Sequence, residues 1–147
     1  MSVLYADASA VVRLYFTDEP DQRALRALLL DTDDVVVTSE ITRLELASAV
    51  TAAVRARRIV DADPFLARFD TDCSDNGQVV LLELEPARTF RAAYALMREH
   101  RLRTLDAIHL AVALEAAPRY SPDERVALVT RDADQAAAAR ELGLEVL

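Results

Sequence analysis

Apolar positions along this chain follow two rhythms. Short unbroken apolar runs alternate with longer stretches in which apolar residues return every three or four positions, the spacing of one helix face. Ser2 to Ala6 is the first run and ends at Asp7, after which Ala8 to Phe16 reads as helix. Pro20 opens the next helical stretch, with Leu25, Leu28 and Leu29 on one face to about Asp31. Val35-Val36-Val37 is a β-branched run without polar alternation, closed by Thr38-Ser39, and a long helix follows from Ser39 to about Arg58. Asp61 to about Asp75 predicts another helix, ended by Asn76-Gly77. Gln78 to Leu84 is a further apolar run, and Pro86 starts a helix to about His100. Val126 to Val129 and Leu144 to Leu147 are the last two runs, separated by a helix from Asp132 to Leu142 that Gly143 stops.

Strands that lack alternation are covered on both faces, and helices between them imply parallel pairing. The expected fold class is therefore α/β: a three-layer α/β/α sandwich with a central parallel sheet. Its 147 residues, with no linker, repeat or low-complexity segment, fit a single domain over 1–147.

The most apolar stretch is the helix that follows Arg103. From Leu105 to Ala117 the only polar residues are Asp106, His109 and Glu115, so this helix is expected to be buried around most of its circumference. Thr104 would serve as its N-cap, which puts Asp106 at the second helical position, where a carboxylate complements the helix dipole. A second role for Asp106 emerges from where the other acids fall. In a parallel sheet the carboxyl ends of the strands share one edge, and the crevice beyond that edge is the usual ligand site. Asp7 follows the first strand, Asp132 follows the Val126 to Val129 strand, and Glu45 lies under two turns into the helix that leaves Val35 to Val37. Each has a structural use alone: Asp7 and Asp132 can cap helices, and Thr42-x-x-Glu45 matches a capping box. Together they would repel one another unless a cation neutralised them. An all-oxygen set without Cys or a His pair selects Mg²⁺ or Mn²⁺ over zinc.

Composition then trims the function classes. Hydrophobic residues make up 52% and charged residues 29%, the balance of a globular protein. A net charge of −8 argues against binding nucleic acid through the whole surface, although it leaves a nuclease possible, and all 17 basic residues are Arg, suited to bidentate phosphate contact. Cys73 is the only cysteine, so no internal disulfide forms. No apolar segment approaches the roughly 18 residues of a membrane span, and a cytoplasmic protein is expected.

Four motifs in order carry a family resemblance: Tyr5-Ala6-Asp7-Ala8-Ser9-Ala10, Glu40-x-x-x-x-Glu45-Leu46, Arg103-Thr104-Leu105-Asp106-Ala107-Ile108-His109-Leu110-Ala111, and Val129-Thr130-Arg131-Asp132 followed by Gly143-Leu144. Over its whole length the chain resembles the PIN-domain ribonucleases, specifically the VapC-type toxins of toxin–antitoxin pairs. The resemblance implies that Asp7, Glu45, Asp106 and Asp132 bind Mg²⁺, or Mn²⁺ in its place, with Ser9 and Thr130 supporting them. On the same resemblance Asp134 could supplement or replace Asp132, since the Asp-x-Asp leaves the fourth ligand open. It further implies hydrolysis of RNA phosphodiester bonds by a metal-activated water, with no side-chain nucleophile. The implied partners are an RNA substrate, a cognate antitoxin and a second copy of the toxin.

Competing classes fare worse. Phosphatases of the haloacid-dehalogenase type and response-regulator receivers share Asp7 after a first strand, yet both use a lysine that this chain lacks. Serine hydrolase, dinucleotide and P-loop sites fail for want of suitably placed glycine. His109, three residues after Asp106, is either a catalytic base or a packed residue that orients a neighbour. The serious competitor is a PIN-like binding or scaffold module whose acids no longer support turnover. Arg55, Arg57 and Arg58, with Arg98, Arg101 and Arg103, are candidates for guiding RNA. Leu14, Tyr15, Phe16 and the Leu25 to Leu30 helix carry apolar surface that could receive a partner.

Overall fold

The computed structural model describes residues 1–147. Five parallel strands form one sheet in the order β3-β2-β1-β4-β5. They are β1 (Ser2–Ala6), β2 (Val35–Ser39), β3 (Val79–Leu82), β4 (Arg125–Val129) and β5 (Glu145–Val146). Between them run α1 (Ala8–Tyr15), α2 (Gln22–Leu29), α3 (Ile41–Arg55), α4 (Asp63–Asp72), α5 (Pro86–Glu99), α6 (Thr104–Glu115), α7 (Ala117–Tyr120) and α8 (Ala133–Glu141).

The alternation of side chains along β1 divides the interior into two cores. Leu4 and Ala6 join Val36, Ala127 and the buried faces of α1 to α4; Val3 and Tyr5 join Val37, Leu128 and the buried faces of α5 to α8. Helices thus cover both faces, as the unalternating strands require. The chain moves from β1 outward to β2 and β3, then crosses back to place β4 on the other side of β1. The strand order therefore reverses between β1 and β4, where open α/β sheets hold their ligands.

Several boundaries differ from the sequence-based expectation. Strand β2 runs through Thr38 and Ser39, so α3 starts at Ile41. The Thr38 hydroxyl donates to the Ala6 carbonyl at 2.6 Å across the sheet, while Ser39 Oγ accepts from the Ile41 amide at 3.3 Å. Helix α4 ends at Asp72, ahead of Asn76-Gly77. Gly77 serves a close approach instead: a Cβ there would stand 2.1 Å from the Asp72 carbonyl oxygen. The extra turn α7 begins at Ala117 because Pro118 cannot continue α6.

The apolar surface of α1 and α2 that could receive a partner is largely covered, with Leu28 and Leu30 partly buried against the same core. Leu14, Tyr15, Phe16, Leu25 and Leu29 are all buried. Helices α3 and α4 close over them: Tyr15 and Phe69 meet edge to face, and the Tyr15 hydroxyl donates to Asp72 at 2.7 Å. Arg58, expected to be free for RNA, lies over the Phe16 ring and pairs with Asp18 and Glu19. Apolar side chains are exposed elsewhere, among them Leu44, Leu105, Phe90 and Tyr94.

Cys73, at the end of α4, is half-buried. Burial pushes its thiol up to about 12, with Asp72 and Asp70 adding to the rise and Arg43 opposing it. Because the thiolate is the nucleophile, alkylation by iodoacetamide at pH 8 is expected to run more than about 100-fold slower than for a free cysteine. Intact-mass kinetics read this directly; a rate matching the urea-unfolded chain would contradict the packing of α4.

Candidate active site

The site forms at the carboxyl edge of the sheet, around the reversal between β1 and β4. Asp7 leaves β1 and caps α1: its Oδ1 accepts from the Ala10 amide at 3.0 Å and from Ser9 Oγ at 2.7 Å. Its Oδ2 accepts from Thr130 Oγ1, at the end of β4, at 2.6 Å. Asp7 is only 2% exposed, and all its donors are neutral. Burial pushes its carboxyl above the ordinary aspartate range, against the opposing pull of the Thr130, Ala10 and Ser9 hydrogen bonds and, least, of His109.

Asp132 caps α8 in the same manner, its Oδ1 accepting from the Gln135 amide at 2.8 Å. The Asp132 amide donates in turn to Thr130 Oγ1 at 3.1 Å, so Thr130 joins the two caps. Asp106 sits one position deeper in α6 than expected. Arg103 is the N-cap in extended conformation and Thr104 is already helical, which makes Asp106 the third helical residue. Arg103 spans two acids, donating from Nε to Asp106 Oδ2 at 3.0 Å and from Nη2 to Asp132 Oδ2 at 3.2 Å. Its side chain is 82% exposed, so water screens both contacts and little holds it there.

Glu45, the fifth residue of α3, faces the same edge. Its Oε2 lies 2.5 Å from His109 Nε2, and His109 Nδ1 lies 2.8 Å from the Tyr5 hydroxyl. Glu45 also lines an open cleft of about 410 Å³ with Arg103, Thr104, Leu105 and Asp106. The four acids are thereby linked: Asp7 to Asp132 through Thr130, Asp132 to Asp106 through Arg103, and Asp106 to Glu45 across the cleft. Asp134 stands apart. It is exposed and lines a different cleft, with Glu99, His100, Arg101 and Glu141, between α5 and α8.

In this conformation no three His, Cys, Asp or Glu side chains converge closely enough to hold a metal ion. The donor set nevertheless fits one chemically. Asp7 is a buried carboxylate with no cationic partner, and Glu45 Oε1 and Asp106 Oδ1 accept no hydrogen bond from the protein. Oxygen atoms alone suit a hard divalent ion.

Sequence reasoning gave no site role to Gln135 or Tyr5, and gave Arg103 a different one. Gln135 is fully buried, and Asp132-x-x-Gln135 has the spacing of a capping box. Its side-chain amide instead crosses to α6, donating to the Asp106 carbonyl at 3.1 Å and tying α8 to α6. Tyr5 looked like an ordinary strand residue, and Arg103 like a phosphate contact.

The family model described as PIN domain matches residues 4–141. The chain belongs to the PIN-domain family. Within it the protein is of the VapC type. It is 32% identical over 114 residues to Ribonuclease VapC45 and to Ribonuclease VapC49 of Mycobacterium tuberculosis, a match covering 78% of this chain and 76% of each relative. This PIN fold also superimposes on the crystal structure of Mycobacterium tuberculosis VapC20, a sarcin-ricin loop cleaving toxin, with a TM-score of 0.65. That alignment covers 92% of this chain and 94% of VapC20 at 19% identity, a likeness of fold. No helix of this PIN domain is long and apolar enough to cross a membrane.

Proposed function

We propose that this PIN domain is a Mg²⁺-dependent endoribonuclease, the toxin of a toxin–antitoxin pair, with Mn²⁺ able to replace Mg²⁺. The observation that carries it is the linked set of acids at the sheet edge, with Asp7 buried and unpaired by any cation. The names of the relatives, both ribonucleases, point the same way. The residues that would hold the ion are Asp7, Glu45, Asp106 and Asp132. Asp134 is left out because it faces another cleft. When bound, the ion supplies a Lewis acid for the scissile phosphate and lowers the pKa of the attacking water.

The chain's own residues do the remainder. Ser9 and Thr130 aim both Asp7 oxygens, and Gln135 holds α6 in register with α8. Arg103 neutralises Asp106 and Asp132 while no divalent ion is present, and its exposure leaves it free to turn toward a phosphate. Arg55, Arg57 and Arg101 are exposed and suited to the RNA backbone. A cognate antitoxin, a second copy of the toxin and a cytoplasmic location complete this reading. A scaffold module that has lost turnover is disfavoured, because all four acids are present and linked.

The test is cleavage of a mixed, end-labelled RNA pool by the purified protein. Cleavage in Mg²⁺ or Mn²⁺, abolished by EDTA and reduced more than about 100-fold in Asp106→Asn, is expected. Intact RNA in every lane from a folded, antitoxin-free protein would favour the scaffold module.

A further inference from the structure

His109 is 1% exposed and Tyr5 is fully buried, both within the core formed by β1, β2 and α6. An imidazole buried this completely must satisfy both ring nitrogens inside the protein. It does so with one partner on each side. Glu45 Oε2, as a carboxylate, can only accept, so Nε2 carries the hydrogen. A neutral ring then has an acceptor at Nδ1, and the only donor placed there is the Tyr5 hydroxyl. The chain of bonds is therefore polarised in one direction, from Tyr5 on β1 through His109 on α6 to Glu45 on α3.

Resting on the metal-dependent reading above, we propose that Tyr5 and His109 are positioning residues that hold one Glu45 oxygen and leave the other as a single ligand to the divalent ion. Glu45, part-buried on α3, borders an open apolar groove of about 570 Å³ lined by Ile41, Leu44 and Leu105. Without a bond to Oε2 its carboxylate would rotate freely there. With that bond, the carboxylate is held by one oxygen in the cleft that Glu45 lines with Asp106. The hydrogen bond also fixes which ring nitrogen donates, in the way that buried carboxylate–histidine pairs orient metal ligands.

The proposal makes two independent demands. In the metal-free protein, ¹⁵N-resolved NMR of His109 should show the neutral Nε2–H tautomer, retained in Tyr5→Phe, where Glu45 still accepts, and giving way to a tautomer mixture in Glu45→Ala. In calorimetric Mn²⁺ titrations, Tyr5→Phe and His109→Phe should each weaken affinity by about 10- to 100-fold. His109→Gln, whose amide can still donate to Glu45, should recover part of the loss. Tyr5→Phe should add nothing further in a Glu45→Ala background, where no oxygen is left to position. An Nδ1–H tautomer in the parent protein, or unchanged Mn²⁺ affinity in both Tyr5→Phe and His109→Phe, would overturn the proposal. The NMR arm needs no metal, so a parent protein that binds no Mn²⁺ yet shows the Nε2–H tautomer would sink the nuclease reading and, with it, the role of Glu45 as a ligand. An Nδ1–H tautomer beside normal Mn²⁺ binding would sink the relay alone.

Discussion

Asp7→Asn is expected to lower RNA cleavage by more than about 100-fold and, at the same time, to raise the stability of the metal-free protein. The loss follows from removing a charge from the proposed metal site. The gain follows from burial. Asp7 is enclosed with only neutral donors, and its carboxyl is pushed above its ordinary value. A group whose folded pKa is raised destabilises the fold as pH climbs from the unfolded to the folded pKa, and that loss persists at neutral pH. Asparagine removes it and still caps α1 through Oδ1. The other end of the amide also finds a partner: it donates to Thr130 Oγ1, whose hydrogen then turns to Gln135 Oε1, already 3.2 Å away. A gain on the order of 1 kcal/mol, or about 2–4 °C in Tm, should appear in EDTA at pH 7 and shrink as pH falls toward 4. Equal or lower stability of Asp7→Asn at pH 7 would show that Asp7 is better solvated than its burial indicates.

Leu110→Ala should lower stability by about 2–5 kcal/mol, and Tm by about 5–15 °C. Leu110 lies in the middle of α6 with no exposed surface, in the core shared with Val3, Tyr5 and Leu128. Truncation leaves a cavity beneath the helix that carries both Asp106 and His109. Thermal melts followed by circular dichroism measure the effect; a shift below about 2 °C would mean that α6 is not anchored through this core.

The sheet was legible because its strands carry no alternation, and the physics of a doubly covered sheet leaves few other sequences possible. The caps at Asp7 and Asp132 were legible for a related reason: an aspartate between an apolar run and a helix is placed to accept from the first free amides, and both do so here. Asp106 was found, but one position off, since the helix starts from the extended backbone of Arg103 without a side-chain cap. Asp132 and Asp134 could not be separated by spacing. They separate in space because a two-residue step on a helix turns the side chain toward another face, here toward α5.

What stayed hidden depends on contacts between distant segments. Tyr5 and His109 are 104 residues apart, and neither residue alone signals a partner. Gln135 breaks its own local pattern to reach α6. The apolar excess around Leu14 to Phe16 suggested a docking face because the covering role of α3 and α4 cannot be read from α1 itself. Arg58 looked free for the same reason, before Phe16, Asp18 and Glu19 were known to surround it.

The most direct test of the linked acids as a metal site is a calorimetric titration of metal-free protein with Mn²⁺. Saturable binding, weakened at least about 10-fold by Asp7→Asn and by Asp106→Asn but unchanged by Asp134→Asn, is the expected result. Absence of binding, or binding that only Asp134→Asn removes, would contradict it.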